Sequence, residues 1–127
     1  MQLARSFFRK KKKPNNNGDK AEQCAEAFLT KKGLKFIARN YHCRGGEIDL
    51  IFLDKTTYVF VEVRYRANST HGTAAESLSE AKLRKVRLAA SYWLHKHHQD
   101  TSGCRFDAVL FDEKIDYQHL TWLRAAF

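Results

Sequence analysis

The sequence predicts an α/β domain in which helices pack on a central mixed sheet, and three observations carry that prediction. Residues 57–66 set Val59, Val61 and Val63 on one side and Phe60 and Glu62 on the other, the period-2 pattern of a strand. Two segments, Ala21–Leu29 and Leu83–Leu94, repeat apolar residues at helical spacing instead. Strand candidates crowd the first half as hairpins, and a helix and further strands follow, an order that calls for a mixed sheet covered by helices.

Length and composition agree with this. A chain of 127 residues lies within the range of one domain, and 43% hydrophobic with 29% charged residues is a globular mix. Cys24, Cys43 and Cys104 are odd in number and none forms a C-x-x-C pair, so a disulfide framework is not expected and a reducing, cytoplasmic setting is. Residues 1–13 have only Phe7 and Phe8 as an apolar centre, too few for a signal peptide. No run approaches the roughly 18 apolar residues that a membrane span requires.

The formal charge of +9 is unevenly spread. Arg5, Arg9, Lys10, Lys11, Lys12 and Lys13 put six of the 23 basic residues into the first 13 positions, leaving 17 against 14 acids, or +3, for the rest. Such a tail suits a polyanion, and its plain alternative is a solvated arm. Lys13-Pro14-Asn15-Asn16-Asn17-Gly18 is a breaker cluster. It divides a flexible basic tail (1–17) from a single folded domain (18–127).

The elements follow in order. A helix is expected over 19–32, with Asp19 as N-cap, Glu22 completing a capping box and Gly33 as the stop. Leu34–His42 is a strand, Arg44-Gly45-Gly46 a turn, and Glu47–Leu53 and Thr57–Arg66 are further strands; Ala67–Ala75 is a polar loop. A second helix is expected from Ser77, with Ser77-x-x-Glu80 as capping box. Lys82, Arg84, Lys85 and Arg87 crowd its first half, opposing the helix dipole, so that a nearby anion would relieve them; a solvated basic face is the plainer account. Arg105–Asp112 and Gln118–Leu123 close the chain as strands.

The chemistry is concentrated in Gly46-Glu47-Ile48-Asp49-Leu50-Ile51 and Val59-Phe60-Val61-Glu62-Val63-Arg64. Carboxylates within strands this apolar are expensive unless paired. If Asp54–Thr57 forms a symmetric hairpin connection, Leu53 faces Tyr58, Asp49 faces Glu62 and Glu47 faces Arg64. Strict alternation then sends all four charged side chains to one face. Two opposed carboxylates repel, so that either one is protonated or a cation lies between them. With Arg64 partly neutralised by Glu47, Asp49 and Glu62 would remain as hard oxygen ligands for Mg²⁺ or Mn²⁺. The alternative is a surface hairpin with solvated acids, but Ile51 and Phe60 on the acidic face argue against it.

Those two segments, with Tyr65-Arg66 after them, resemble the bacterial YraN-like family. Gly18-x-x-x-Glu22-x-x-Ala25 through Leu29, Arg39-Asn40 and Arg105-Phe106-Asp107 match it too, so that the resemblance covers residues 18 to about 112. The family is similar to Holliday-junction resolvases and to the PD-(D/E)XK nuclease superfamily. The resemblance implies a restriction-endonuclease-like core of order αβββαβ. It implies that Asp49 stands for the first acid of the superfamily motif, that Glu62-Val63-Arg64 stands for its E-x-K, and that Glu22 is an accessory metal-binding acid. The implied activity is metal-dependent, structure-selective cleavage of DNA. Asp49, Glu62 and the Val63 carbonyl would hold the ion, Arg64 would bind the scissile phosphate, and Glu47 would support Arg64. Arg66, Lys82, Lys85 and the tail lysines Lys10, Lys11, Lys12 and Lys13 would grip flanking phosphates, and the protein would act without a membrane, with pairing into a homodimer open. Arginine replaces the superfamily lysine, and because it stays protonated it cannot be a general base. A non-catalytic nucleic-acid-binding module on the same scaffold is therefore the alternative. His95-x-His97-His98 fits no structural zinc spacing.

Overall fold

The computed structural model describes residues 16–99 and 103–127. The chain runs α1 (Asn17–Lys31), β1 (Lys35–Cys43), β2 (Gly46–Asp54), β3 (Thr57–Arg66), a 3₁₀ turn at Ala75–Ser77, α2 (Glu80–Lys96), β4 (Cys104–Asp112), a second 3₁₀ turn at Tyr117–His119, and β5 (Leu120–Leu123). The five strands form one sheet in sequence order. β1, β2 and β3 are antiparallel neighbours, α2 is the crossover that makes β4 parallel to β3, and β5 returns antiparallel to β4. The fold is thus a mixed α/β sheet with two helices. No helix among the described residues is long and apolar enough to cross a membrane.

Alternation along β3 distributes the core. Val59, Val61 and Val63, with Leu50 and Phe52 of β2, pack against Ala21, Ala25 and Leu29 of α1. Phe60 and Ile51 face the other way, onto Val86, Ala89, Ala90, Trp93 and Leu94 of α2. Trp122 joins the first cluster, and Trp93 and Tyr58 belong to the second, so these aromatics are core. A third, small cluster of Ala74, Ala108 and Leu110 seats the loop before α2 on β4.

Two helix starts differ from the sequence expectation. The N-cap of α1 is Asn16, whose Oδ1 accepts from the Asp19 N–H at 2.7 Å, so Asp19 lies inside the first turn. The N-cap of α2 is Ser79, accepting from the Lys82 N–H at 3.2 Å, and Ser77 closes the 3₁₀ turn instead. Both sequences hold a competing cap residue, Asn16 three before Asp19 and Ser77 two before Ser79, and Ser77, freed from capping, bonds Arg64 and the Ala74 carbonyl instead.

Buried Asp107 ties down the C-terminus. Its carboxylate accepts from Arg105 Nε at 3.1 Å, Trp122 Nε1 at 2.9 Å and the Ala125 N–H at 2.9 Å. Arg105 in turn reaches Asp54 at 2.8 Å, linking β4 to the β2–β3 turn. The motif Arg105-Phe106-Asp107 therefore has a structural use in this chain.

The close seat of α2 on the β1–β2 turn depends on Gly46, where an added Cβ would stand 2.7 Å from the Lys85 carbonyl oxygen and 3.0 Å from the Ala89 nitrogen. Gly46→Ala is expected to destabilise the protein by about 1–3 kcal/mol through this overlap. The change should be read as a lower urea midpoint at unchanged m value; an unmoved midpoint would contradict the close approach.

Candidate functional site: a carboxylate cluster at a fork in the sheet

The hairpin register is that of the symmetric connection: Asp54 pairs with Thr57 and the ladder runs to Leu50 opposite Val61. The turn Lys55-Thr56 lacks an Asn-Gly signature, and Lys55 takes φ 60 to close it. Past Leu50 the two strands part. β2 remains paired with β1 as far as Gly46 opposite Cys43, while β3 remains paired with β4 as far as Arg66 opposite Asp112. Asp49 and Glu62 are the first residues of the resulting fork. There the Asp49 side chain replaces the missing ladder bond, Oδ2 accepting from the Val63 N–H at 2.8 Å.

Three carboxylates meet at this point. The Asp49 charge acts on Glu62 from β3 and on Glu22 from α1. Glu62 is only 5% exposed, and its Oε1 has no hydrogen-bond partner. Burial and then the Asp49 charge push Glu62 up from 4.5 to about 9. The same two causes, joined by Asp19, push Glu22 up to about 8. Burial also raises Asp49, against the lowering effect of the Val63 N–H. Without a cation the cluster holds protons at neutral pH, because its carboxylates are too crowded and too dry for all to ionise.

Positive groups approach from the α2 side. Arg64 Nη1 stands 3.9 Å from Glu62 Oε2, and Arg64 Nε donates to Ser77 Oγ at 2.8 Å. Lys82, half-buried in the first turn of α2, is close enough to favour the ionised form of Glu62.

The fork thus gathers Glu22, Asp49, Glu62, Arg64, Lys82 and the Val63 backbone. Glu47 is the exception, and its assignment as the partner of Arg64 is corrected. It is exposed, and its nearest polar contact in the structure is His42 Nδ1, at 3.6 Å. Ile48 and Ile51, three residues apart, enter the same α2-side core, so strict alternation breaks along this segment, and Glu47 touches the cluster only through its charge, which helps raise Asp49. Lys85 is exposed on the next turn of α2, and Arg66 lies at the far end of β3 with Nη1 on its neighbour's carbonyl, the Tyr65 oxygen. Lys10, Lys11, Lys12 and Lys13 fall outside the described residues.

Two residues join the site that the sequence reading passed over. Asn40, between the Arg39–Leu50 and Tyr41–Ile48 pairs of β1–β2, adopts φ 51 inside a strand and acts to lower the pKa of Glu22. An Asn in a strand segment is a signal in itself, since it is depleted in strands and enriched in left-handed conformations. Ser77 holds Arg64, a role masked by its resemblance to a helix cap.

Among known proteins, the model of the uncharacterised protein family UPF0102, the YraN family, matches residues 21–111. A UPF0102 protein of Marinomonas sp. strain MWYL1 is 65% identical over 127 residues, the whole of both chains. UPF0102 proteins of Methylobacillus flagellatus and Aeromonas hydrophila are 47% and 43% identical, covering 87% and 88% of this chain and 95% and 85% of their own.

The raised acids make stability depend on pH. Between the ordinary value of 4.5 and the folded values of about 8 and 9, the folded state keeps protons that the unfolded state has released. The stabilisation is complete below pH 4.5 and is lost as pH rises through 8 and 9. Thermal unfolding in metal-free buffer should therefore show a falling Tm from pH 5 to 9. Glu62→Gln should flatten the fall and raise Tm at pH 8 by roughly 4 °C; equal slopes in both proteins would refute the crowding of Glu62.

Proposed function

The chain belongs to the UPF0102 family, and we propose that it is a metal-dependent DNA endonuclease whose centre is the fork between β2 and β3. The observation that carries the reading is the pairing of Asp49 and Glu62 at the fork between adjacent strands, with Glu62 Oε1 buried and without a hydrogen-bond partner and the cations Arg64 and Lys82 acting on Glu62. A buried oxygen without a partner is costly, and hard oxygen donors in that state suit Mg²⁺ or Mn²⁺. The element order α1-β1-β2-β3-α2-β4 supports a restriction-endonuclease-like core of the PD-(D/E)XK kind, with Asp49 as first acid and Glu62-Val63-Arg64 in place of E-x-K.

Among the described residues no three His, Cys, Asp or Glu side chains stand as a ready ligand set. The fit is therefore to an ion held by Asp49, Glu62 and the Val63 carbonyl, with Glu22 in support and solvent and phosphate oxygens completing the shell, as is common for Mg²⁺. Once bound, such an ion polarises a phosphoryl oxygen and acidifies water. The Val63 N–H fixes the direction of the Asp49 carboxylate. Arg64, always protonated, meets the scissile phosphate and balances the charge that develops on it. Hydrolysis joins a water oxygen to phosphorus and breaks one ester bond, the departing sugar oxygen taking up a proton. Lys82, Lys85 and Arg66 hold flanking phosphates, and the tail with Lys10–Lys13 adds attraction independent of sequence. Among the described residues no element for reading base edges stands out, so DNA shape, as in a branched junction, is the expected determinant. The setting we propose is the cytoplasm, and a homodimer would suit a two-stranded target.

Arg64 favours one second reading, a nucleic-acid-binding module without catalysis, because it supplies no titratable lysine to the site. Incubation with supercoiled and branched DNA in 5′-labelled form, with Mn²⁺, Mg²⁺ or chelator, separates the two. Metal-dependent cleavage that drops at least about 100-fold in Asp49→Asn and Glu62→Gln supports the endonuclease. Salt-sensitive binding with no cleavage selects the module, and neither activity ends both readings. Removal of residues 1–13 should weaken DNA binding and reduce the dependence of log K on log salt by several units; an unchanged slope would discharge the tail from this role.

A further inference from the structure

We infer that Ser77 is the positioning residue for Arg64, committing its guanidinium to meet an anion end-on, through Nη1 and Nη2, at the mouth of the fork. The inference deepens the proposed function, on which the identity of the anion as a phosphodiester rests.

The geometry is directional. Ser77 Oγ has a single proton, and it donates that proton to the Ala74 carbonyl at 2.6 Å. The hydroxyl is thereby left as an acceptor toward Arg64 Nε, which it meets at 2.8 Å. Ala74 does not move to suit: it is fully buried on Ala108 and Leu110, and its own N–H donates to Asp112 Oδ1 at 2.9 Å. Asp112 lies at the end of β4, in register with Arg66. A chain of bonds thus runs from the end of β4 through the loop before α2 to the arginine at the fork.

A guanidinium can grip an oxyanion by either of two edges, one built on Nε and a terminal nitrogen, the other on the two terminal nitrogens. With Nε given to Ser77, the first edge is closed. The second remains, and its Nη1 stands 3.9 Å from Glu62 Oε2, beyond hydrogen-bond length. Glu62 therefore does not consume it. Lysine carries its three donors on one nitrogen and cannot present them at two sites a guanidinium's width apart; arginine can. This accounts for arginine and Ser77 occurring together.

The test uses two readouts on the full chain. In ¹⁵N-labelled protein, the Arg64 Nε–H signal (assigned by its absence in Arg64→Lys) should exchange with solvent at least about tenfold faster in Ser77→Ala. Ser77→Thr, which keeps a hydroxyl, should restore slow exchange. In anisotropy titrations with a fluorescein-labelled DNA duplex, Ser77→Ala should weaken binding about three- to tenfold, yet have no effect in the Arg64→Lys background. Equal exchange rates in Ser77→Ala and the unmodified protein would overturn the hold on Arg64. Equal losses of affinity in both backgrounds would reduce Ser77 to a loop-stabilising residue and overturn its positioning role. If the unmodified protein does not bind the duplex, the nucleic-acid reading falls, and the exchange rates alone decide whether Ser77 sets the arginine.

Discussion

Past Leu50 and Val61 the backbone ladder between β2 and β3 gives way to one side-chain bond, from the Val63 N–H to Asp49 Oδ2 at 2.8 Å. A buried N–H must find an acceptor, and the parting of the strands removes the one a ladder would have supplied. Asp49 provides it and in doing so loses the freedom to turn away from Glu62 and Glu22. The crowding of carboxylates is thus a consequence of the fork. Each arm of the fork is held by its own partner strand, β1 on one side and β4 on the other.

Such a site opposes folding, and the surroundings bear the cost. Apolar clusters on both faces of the sheet clamp β2 and β3 just before they diverge, α1 through Ala25 and Leu29 and α2 through Ala89 and Trp93. Arg64 and Lys82 favour ionised Glu62, but not enough to restore an ordinary acidity. A group of acids kept protonated, beside an arginine that is diverted to a serine, is an arrangement poorly explained by stability alone. Removing one partner of a buried charged set is usually destabilising, whereas here removal of an acid should relieve strain. On the proposed reading, that reversal fits a site maintained for something it binds.

The hairpin register was legible because apolar alternation in β3 and the symmetric turn leave little choice: Val59, Val61 and Val63 cannot face solvent, and that fixes where Glu62 points. The mixed sheet and its two helices follow from the same periodicities. What escaped the sequence were features set by tertiary competition. Glu47 was placed by strict alternation, which fails where Ile48 and Ile51 enter the same core. The sequence offers more than one cap residue for each helix, and Asn16 and Ser79 satisfy the cap rule as well as Asp19 and Ser77 do. Glu22, expected to fold back on its own helix, was free to reach Asp49 because Asn16 already held the Asp19 N–H. Local rules identify the candidates; which one is used depends on contacts many residues away.

On the proposed reading, the same crowding links the two ligands of the site. A fork with its acids ionised and no cation presents up to three negative charges toward an incoming phosphate, against Arg64 and Lys82. Either protons or a divalent ion must reduce that field before a phosphodiester can approach Arg64. A cation that lowers the repulsion strengthens DNA binding, and by reciprocity bound DNA strengthens the hold on the cation, since its phosphate oxygens complete a shell that the protein leaves short. The basic tail stands apart from this coupling. On that reading its charges would attract DNA whether or not the fork is loaded, so affinity at the tail and selectivity at the fork would be separable in one small protein.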